Sequence, residues 1–145
     1  MFSVLVQNMI DRYEYPVVTA KELEPFLSAH ELTLLFFTED AKRFPETDDV
    51  AMILPELVKA FNGRFSVAVV ALADQRTLQM HYGFKEWPTL VLLRRGGYLG
   101  AISRVQDWSV YLDRIEQILA SEPTNVPVFI PQEATISFPS PRSKS

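Results

Sequence analysis

Cysteine is absent from this 145-residue chain, and histidine occurs only as His30 and His81. Without thiols there is no disulfide framework, no thiolate-rich zinc site, no iron–sulfur ligation and no cysteine nucleophile. Two histidines are thin material for a metal site or a general base, so no metal and no cofactor are expected. A long apolar run is also lacking. The opening "MFSVLVQNMIDRYEY" has no basic start, and Asp11 and Arg12 interrupt its short apolar part. It reads neither as a secretory signal nor as a membrane span, and a cytoplasmic protein is the expectation. Nor is there a surplus of positive charge. The net charge of −4 argues against nucleic acid, whose phosphates need clustered Lys and Arg.

What is present suits one soluble domain. Apolar residues make up 48% and charged residues 22%, enough for an ordinary core without staples. Residues 3–13 carry Val4, Leu5, Met9 and Ile10 at a spacing that suits a short amphipathic helix. "PVV" follows as an edge strand, then "TAKELEPFLSAH", where Thr19 and Glu22 form a capping-box pattern. "LTLLFF", 32–37, is a continuous apolar run, as expected of a strand covered on both faces. "DVAMILPELVKAFNG" predicts a helix with Asp48 or Asp49 as its cap, an internal Pro55 and a stop at Gly63. A second buried strand at 65–73 leads to a short helix with Asp74 as cap and Gly83 as stop. Strands at 89–93 and 98–104 flank Arg95-Gly96-Gly97 and predict a β-hairpin. "DWSVYLDRIEQILASE" predicts a last helix, capped by Asp107 and buried through Val110, Leu112, Ile115, Ile118 and Leu119.

Half of the ten prolines fall in the last 23 residues, which show no helical or strand period. Residues 1–122 are therefore expected to form the domain and 123–145 a proline-rich tail. For the apolar segment "NVPVFIP", 125–131, three alternatives stay open: disorder, docking on the domain, or contact with a partner. The element order predicts an α/β domain: a mixed sheet with right-handed crossovers, helices on both faces, a final antiparallel hairpin and a C-terminal helix.

That order, with "LLFF" closing the central strand, Pro55 in the next helix, and "MHYGFKEWPTLVLLRRGG" before the last helix, resembles the thioredoxin fold over roughly residues 17–120. The resemblance implies a cis Trp87–Pro88 bond, an isomer that only about 5–6% of X–Pro bonds adopt in folded proteins. The departures bear on function. The place of the two thioredoxin cysteines is taken by "TEDAKRFPETDD", in a loop several residues longer than a thioredoxin's, and the buried carboxylate of that family falls near Leu35. With no thiolate and no base beside the loop's hydroxyls, disulfide exchange is excluded and no enzymatic activity is expected.

The same departures, the acidic proline-containing loop, "WPTLV", the Gly-Gly hairpin and the proline-rich tail are similar to a narrower family. These are the cysteine-free, thioredoxin-like hydrogenase expression/formation proteins of the HupG/HyaE type, from nickel–iron (NiFe) hydrogenase operons. The resemblance implies a non-catalytic cytoplasmic chaperone of hydrogenase maturation. It would bind the twin-arginine signal peptide of the hydrogenase small-subunit precursor and hold back export until assembly is complete. The alternative is a scaffold for hydrogenase subunits without signal-peptide specificity. The residues expected to meet the peptide are Glu39, Asp40, Glu46, Asp48, Asp49, Trp87 and Pro88. Carboxylates pair well with arginine, often bidentately, but exposed pairs contribute only about 0–1 kcal/mol each. An apolar groove is therefore expected beside them, with Trp87 and Pro88 as one wall. The bland alternatives are that the acids cap a helix in water and that Trp87 packs on its neighbours.

Overall fold

A computed structural model describes residues 1–124; from residue 125 onward the expected tail, including "NVPVFIP", lies outside the described residues. Its frame is a five-stranded sheet in the order β1-β3-β2-β4-β5. The strands are β1 (Val17–Val18), β2 (Leu32–Phe37), β3 (Ser66–Val70), β4 (Thr89–Arg94) and β5 (Gly97–Ser103). β1 and β2 run parallel to β3, while β4 lies antiparallel to both β2 and β5. β2 is thus the centre strand, and all six of its residues are buried. Successive side chains point to opposite faces, so Leu34 and Phe36 enter one core and Leu35 and Phe37 the other. A strand that feeds two cores has no polar face, which is why "LTLLFF" shows no alternation.

Among the described residues five α-helices cover the sheet: α1 (Val4–Tyr13), α2 (Ala20–Ala29), α3 (Glu46–Ala60), α4 (Gln75–Tyr82) and α5 (Trp108–Leu119). Buried residues of α1, α3 and α5 pack on one face, those of α2 and α4 on the other. α2 starts on the expected capping box: Thr19 Oγ1 accepts from the Glu22 N–H and the Glu22 carboxylate from the Thr19 N–H. The hairpin turn is one residue shorter than the expected Arg95-Gly96-Gly97, because Arg94 pairs with Gly97 and only Arg95 and Gly96 lie between the strands. Arg95 (φ 48°) and Gly96 (φ 83°) both take positive φ, the type I′ geometry that matches strand twist. Beyond α5, the Arg94 guanidinium donates to the carbonyls of Leu119 (2.9 Å) and Ser121 (3.1 Å), satisfying acceptors the helix end leaves open. The Thr124 N–H then donates to Tyr98 O at 2.9 Å, pinning the end of the described chain against β5.

Several local expectations need correction. α3 begins at Glu46, so Asp48 and Asp49 lie inside its first turn and do not cap it. Pro45 holds the cap position, where a locked φ of −60° suits the helix start. Asp74 does not cap α4 through its side chain; its carboxylate accepts from the Ala20 N–H at 2.8 Å and so serves the start of α2. Asp107 holds the cap position of α5 but makes no side-chain capping bond. In α5 the fully buried side chains are Tyr111, Ile115 and Leu119, while Val110, Leu112 and Ile118 are half-buried. In α1 the buried side chains are Val6, Met9 and Ile10, whereas Val4 and Leu5 face outward.

Candidate functional site

The loop after β2 is folded by its own polar groups. Thr38, the first residue past the strand, is buried, and its carbonyl accepts from Thr47 Oγ1 at 2.6 Å. Gln75, 1% exposed at the start of α4, reaches the same point. Its amide donates to Thr38 Oγ1 (3.1 Å) and Val70 O (2.8 Å), and its carbonyl accepts from the Glu39 N–H at 2.7 Å. Asp40 then makes the turn. Its side chain accepts from the Lys42 N–H (3.0 Å), and its carbonyl accepts from the N–H groups of Arg43 (3.0 Å) and Phe44 (2.9 Å). Residues 38–47 therefore form an ordered turn anchored at both ends to buried hydroxyls.

This turn faces the segment that precedes β4. The Trp87–Pro88 bond is cis, as the resemblance implied. Trp87 is only 6% exposed, and its ring lies among those of Phe37, Phe44 and Phe84, with centroids 6.4, 6.4 and 5.2 Å away. Pro88 is buried behind it, its carbonyl accepting from the Arg104 N–H at 2.7 Å. Between the two segments runs a groove of about 400 Å³ with Phe44, Pro45 and Trp87 as apolar wall, Arg43, Lys85 and Arg104 as cations, and Glu46 and Glu86 as acids. Trp87 thus packs on its neighbours and also borders the groove.

The five candidate carboxylates separate. Glu39 pairs with Arg76, whose guanidinium also sits over the Trp87 ring, 5.7 Å from its centroid. Glu46 accepts from Arg104 Nε (3.1 Å), Arg104 Nη2 (2.5 Å) and the Val105 N–H (2.8 Å). These bonds, the Arg104 contact first, hold its carboxyl below the ordinary value. Asp48 accepts from the Ser3 hydroxyl at 2.5 Å, so it turns toward α1 and away from the groove. Asp40 and Asp49 are exposed and have no ion-pair partner among the described residues. The structure therefore brings Glu46 and Trp87 to the groove, buries Pro88 behind Trp87 outside the groove lining, links Glu39 to it through Arg76, leaves Asp40 at the turn, and sets Asp48 and Asp49 on α3.

Sequence reasoning missed Gln75, Arg76, Arg104 and Phe44. The first three act on residues 36 to 58 positions away, a separation no local pattern can register. Phe44 was readable only as the one aromatic residue in a polar loop. Among the described residues no group of three His, Asp or Glu side chains could hold a metal ion, and no helix is long and apolar enough to cross a membrane.

Comparison with known proteins agrees with this architecture. Residues 5–111 match the family model described as hydrogenase-1 expression protein HyaE. The chain is 44% identical over 140 residues to the hydrogenase expression/formation protein HoxO of Azotobacter vinelandii, covering 94% of each. It is 40% identical over 114 residues to HupG of Bradyrhizobium diazoefficiens, covering 76% of this chain and 77% of that protein. Among solved structures, the hydrogenase expression/formation protein HupG from Rhodopseudomonas palustris aligns with a TM-score of 0.52 at 39% identity, covering 72% of this chain and 95% of that one. Plasmodium falciparum thioredoxin aligns with a TM-score of 0.59 at 16% identity over 71% of this chain and 97% of that one, a likeness of fold alone. With that fold, no thiol at the redox position and relatives of this kind along most of its length, the chain belongs to the HyaE family of hydrogenase expression/formation proteins.

Proposed function

We propose that this protein is a non-catalytic chaperone of NiFe-hydrogenase maturation, acting in the cytoplasm. It captures the twin-arginine signal peptide of the small-subunit precursor and so holds back export until assembly is complete. Family membership supports the maturation role. The observation that carries the finer reading is the groove between the 38–47 turn and Trp87–Pro88. It lies between the loop that stands in place of the thioredoxin cysteines and the cis-proline segment, and it holds no thiol.

The charge arrangement assigns unequal roles to the candidate residues. Glu39 and Glu46 already hold Arg76 and Arg104, and in this reading they shape the groove walls. Of the five candidate acids, Asp40 in the turn and Asp49 on α3 are the exposed ones left to meet the peptide's arginines, while Asp48 stays bonded to Ser3. Phe44 and Trp87 supply the apolar contact that exposed ion pairs need as a supplement, since such pairs contribute little alone.

The test is calorimetric titration with small-subunit precursor and with the same subunit lacking its signal peptide. Binding to the precursor alone, weakened by Asp40→Lys and by rising salt, is the expected result. Equal affinity for both forms would reject signal-peptide specificity and assign the protein a scaffolding role.

A further inference from the structure

The start of α1 and the outer side of α3 carry an apolar surface that the groove does not use. Val4 is 75% exposed, Leu5 40% and Met52 62%. Among the described residues, the remaining exposed large apolar side chains apart from Met1 are Val17, Met80 and Trp108, each on a different element. The Ser3–Asp48 hydrogen bond draws the start of α1 against the first turn of α3, and Met52 lies one helical turn beyond Asp48. The two helices thus present these side chains on neighbouring surfaces.

The charge along this side of α3 is mostly negative. Met52 and the half-buried Ile53 fall between Asp49 and Glu56, three to four residues from each, the spacing that stacks side chains on one helix face. Glu46, Asp48, Asp49 and Glu56 are all acidic. Glu46 holds Arg104 and Glu56 lies 3.5 Å from Lys59, so Asp48, bonded to the uncharged Ser3, and the exposed Asp49 carry the charge left unpaired among the described residues. An apolar patch with an acidic border fits a ligand that joins basic to uncharged apolar residues. Glu46 and Asp49, one turn apart on α3, also join this patch to the groove beside Trp87.

We infer that the Val4–Leu5–Met52 patch seats the uncharged apolar stretch that follows the arginines of the bound signal peptide. The inference rests on the proposed function and adds to it a second contact surface. Methionine suits such a role, because its flexible, polarisable side chain adapts to peptides of varied sequence.

The experiment titrates labelled synthetic peptides against the full chain by fluorescence anisotropy. One peptide carries the whole small-subunit signal sequence; the other ends after its arginines. Val4→Glu and Met52→Glu are each expected to weaken the whole peptide by about tenfold, the scale of losing one buried apolar side chain, and to leave the short one unaffected. Unchanged affinity for the whole peptide in both variants overturns the patch while the proposed function stands. If the unsubstituted chain binds neither peptide, the proposed function itself fails. Light scattering covers the other occupant: a wild-type dimer that Met52→Glu converts to monomer would overturn the inference by assigning the patch to a second copy. Both side chains are exposed, so folding should survive. Val4→Ser and Met52→Ser, checked by thermal melting, provide the same reading should the glutamates unfold the domain.

Discussion

Gln75 is the side chain on which the order of the 38–47 turn depends, and Gln75→Leu tests that dependence. The wild-type amide is 1% exposed and makes three hydrogen bonds, to Thr38 Oγ1, Val70 O and the Glu39 N–H. Leucine keeps the approximate volume and removes all three. A net hydrogen bond contributes about 1 kcal/mol, and a buried group left without a partner costs about 1–3 kcal/mol. The turn lies at the surface, so water can reach some of the stranded groups, and the expected loss is roughly 2–4 kcal/mol. For a domain of this size that is a fall of roughly 6–12 °C in melting temperature. Circular dichroism melts give the stability, and amide exchange followed by NMR gives the location. Protection at the Glu39 N–H should fall further than protection in β2, because the staple holds the turn and only indirectly the sheet. Peptide affinity should fall as well, since binding would then have to order the turn. A cost below about 0.5 kcal/mol, the ordinary range for surface substitutions, would refute the reasoning.

Three further outcomes are expected. Glu46 has a depressed carboxyl pKa, so its contribution to stability is present above the ordinary value of 4.5 and lost as pH falls through the lower, folded value. The melting-temperature gap between wild type and Glu46→Gln should therefore be open at pH 7 and shrink under strongly acid conditions; a pH-independent gap would remove the Arg104 pairing as its cause. Thr33 Oγ1 is buried without a partner among the described residues, so Thr33→Val should raise stability in urea melts by about 1 kcal/mol. Gly97 leaves no room for a side chain: an added Cβ would lie 2.6 Å from Pro123 Cβ. Gly97→Ala should push Pro123 away and break the Thr124–Tyr98 bond, which NMR exchange at the Thr124 amide would register; retained protection there would contradict the packing.

Several features were legible without coordinates because their causes are local or compositional. The missing cysteines exclude thiol–disulfide exchange by themselves. "LTLLFF" announces a strand buried on both faces, "T-x-x-E" at Thr19 a helix start, and Arg95-Gly96-Gly97 a hairpin, though not the two-residue length of its turn, since each depends on neighbours within a few residues. Motif order then pointed to the fold and to the cis bond at Pro88.

What only the tertiary structure decided is where the charges go. In the sequence, Glu39, Asp40, Glu46, Asp48 and Asp49 read as one acidic loop open to a partner. In the fold two of them are held by Arg76 and Arg104, one by Ser3, and two stay exposed. α1 likewise spends Val6, Met9 and Ile10 on the core and leaves Val4 and Leu5 outside, because the packing partner, α3, chooses which flank of a short helix is buried. Composition and periodicity specify which residues are acidic or apolar. Which of them are spent inside the molecule and which remain for a partner depends on contacts tens of residues apart, and those exist only once the chain has closed on itself.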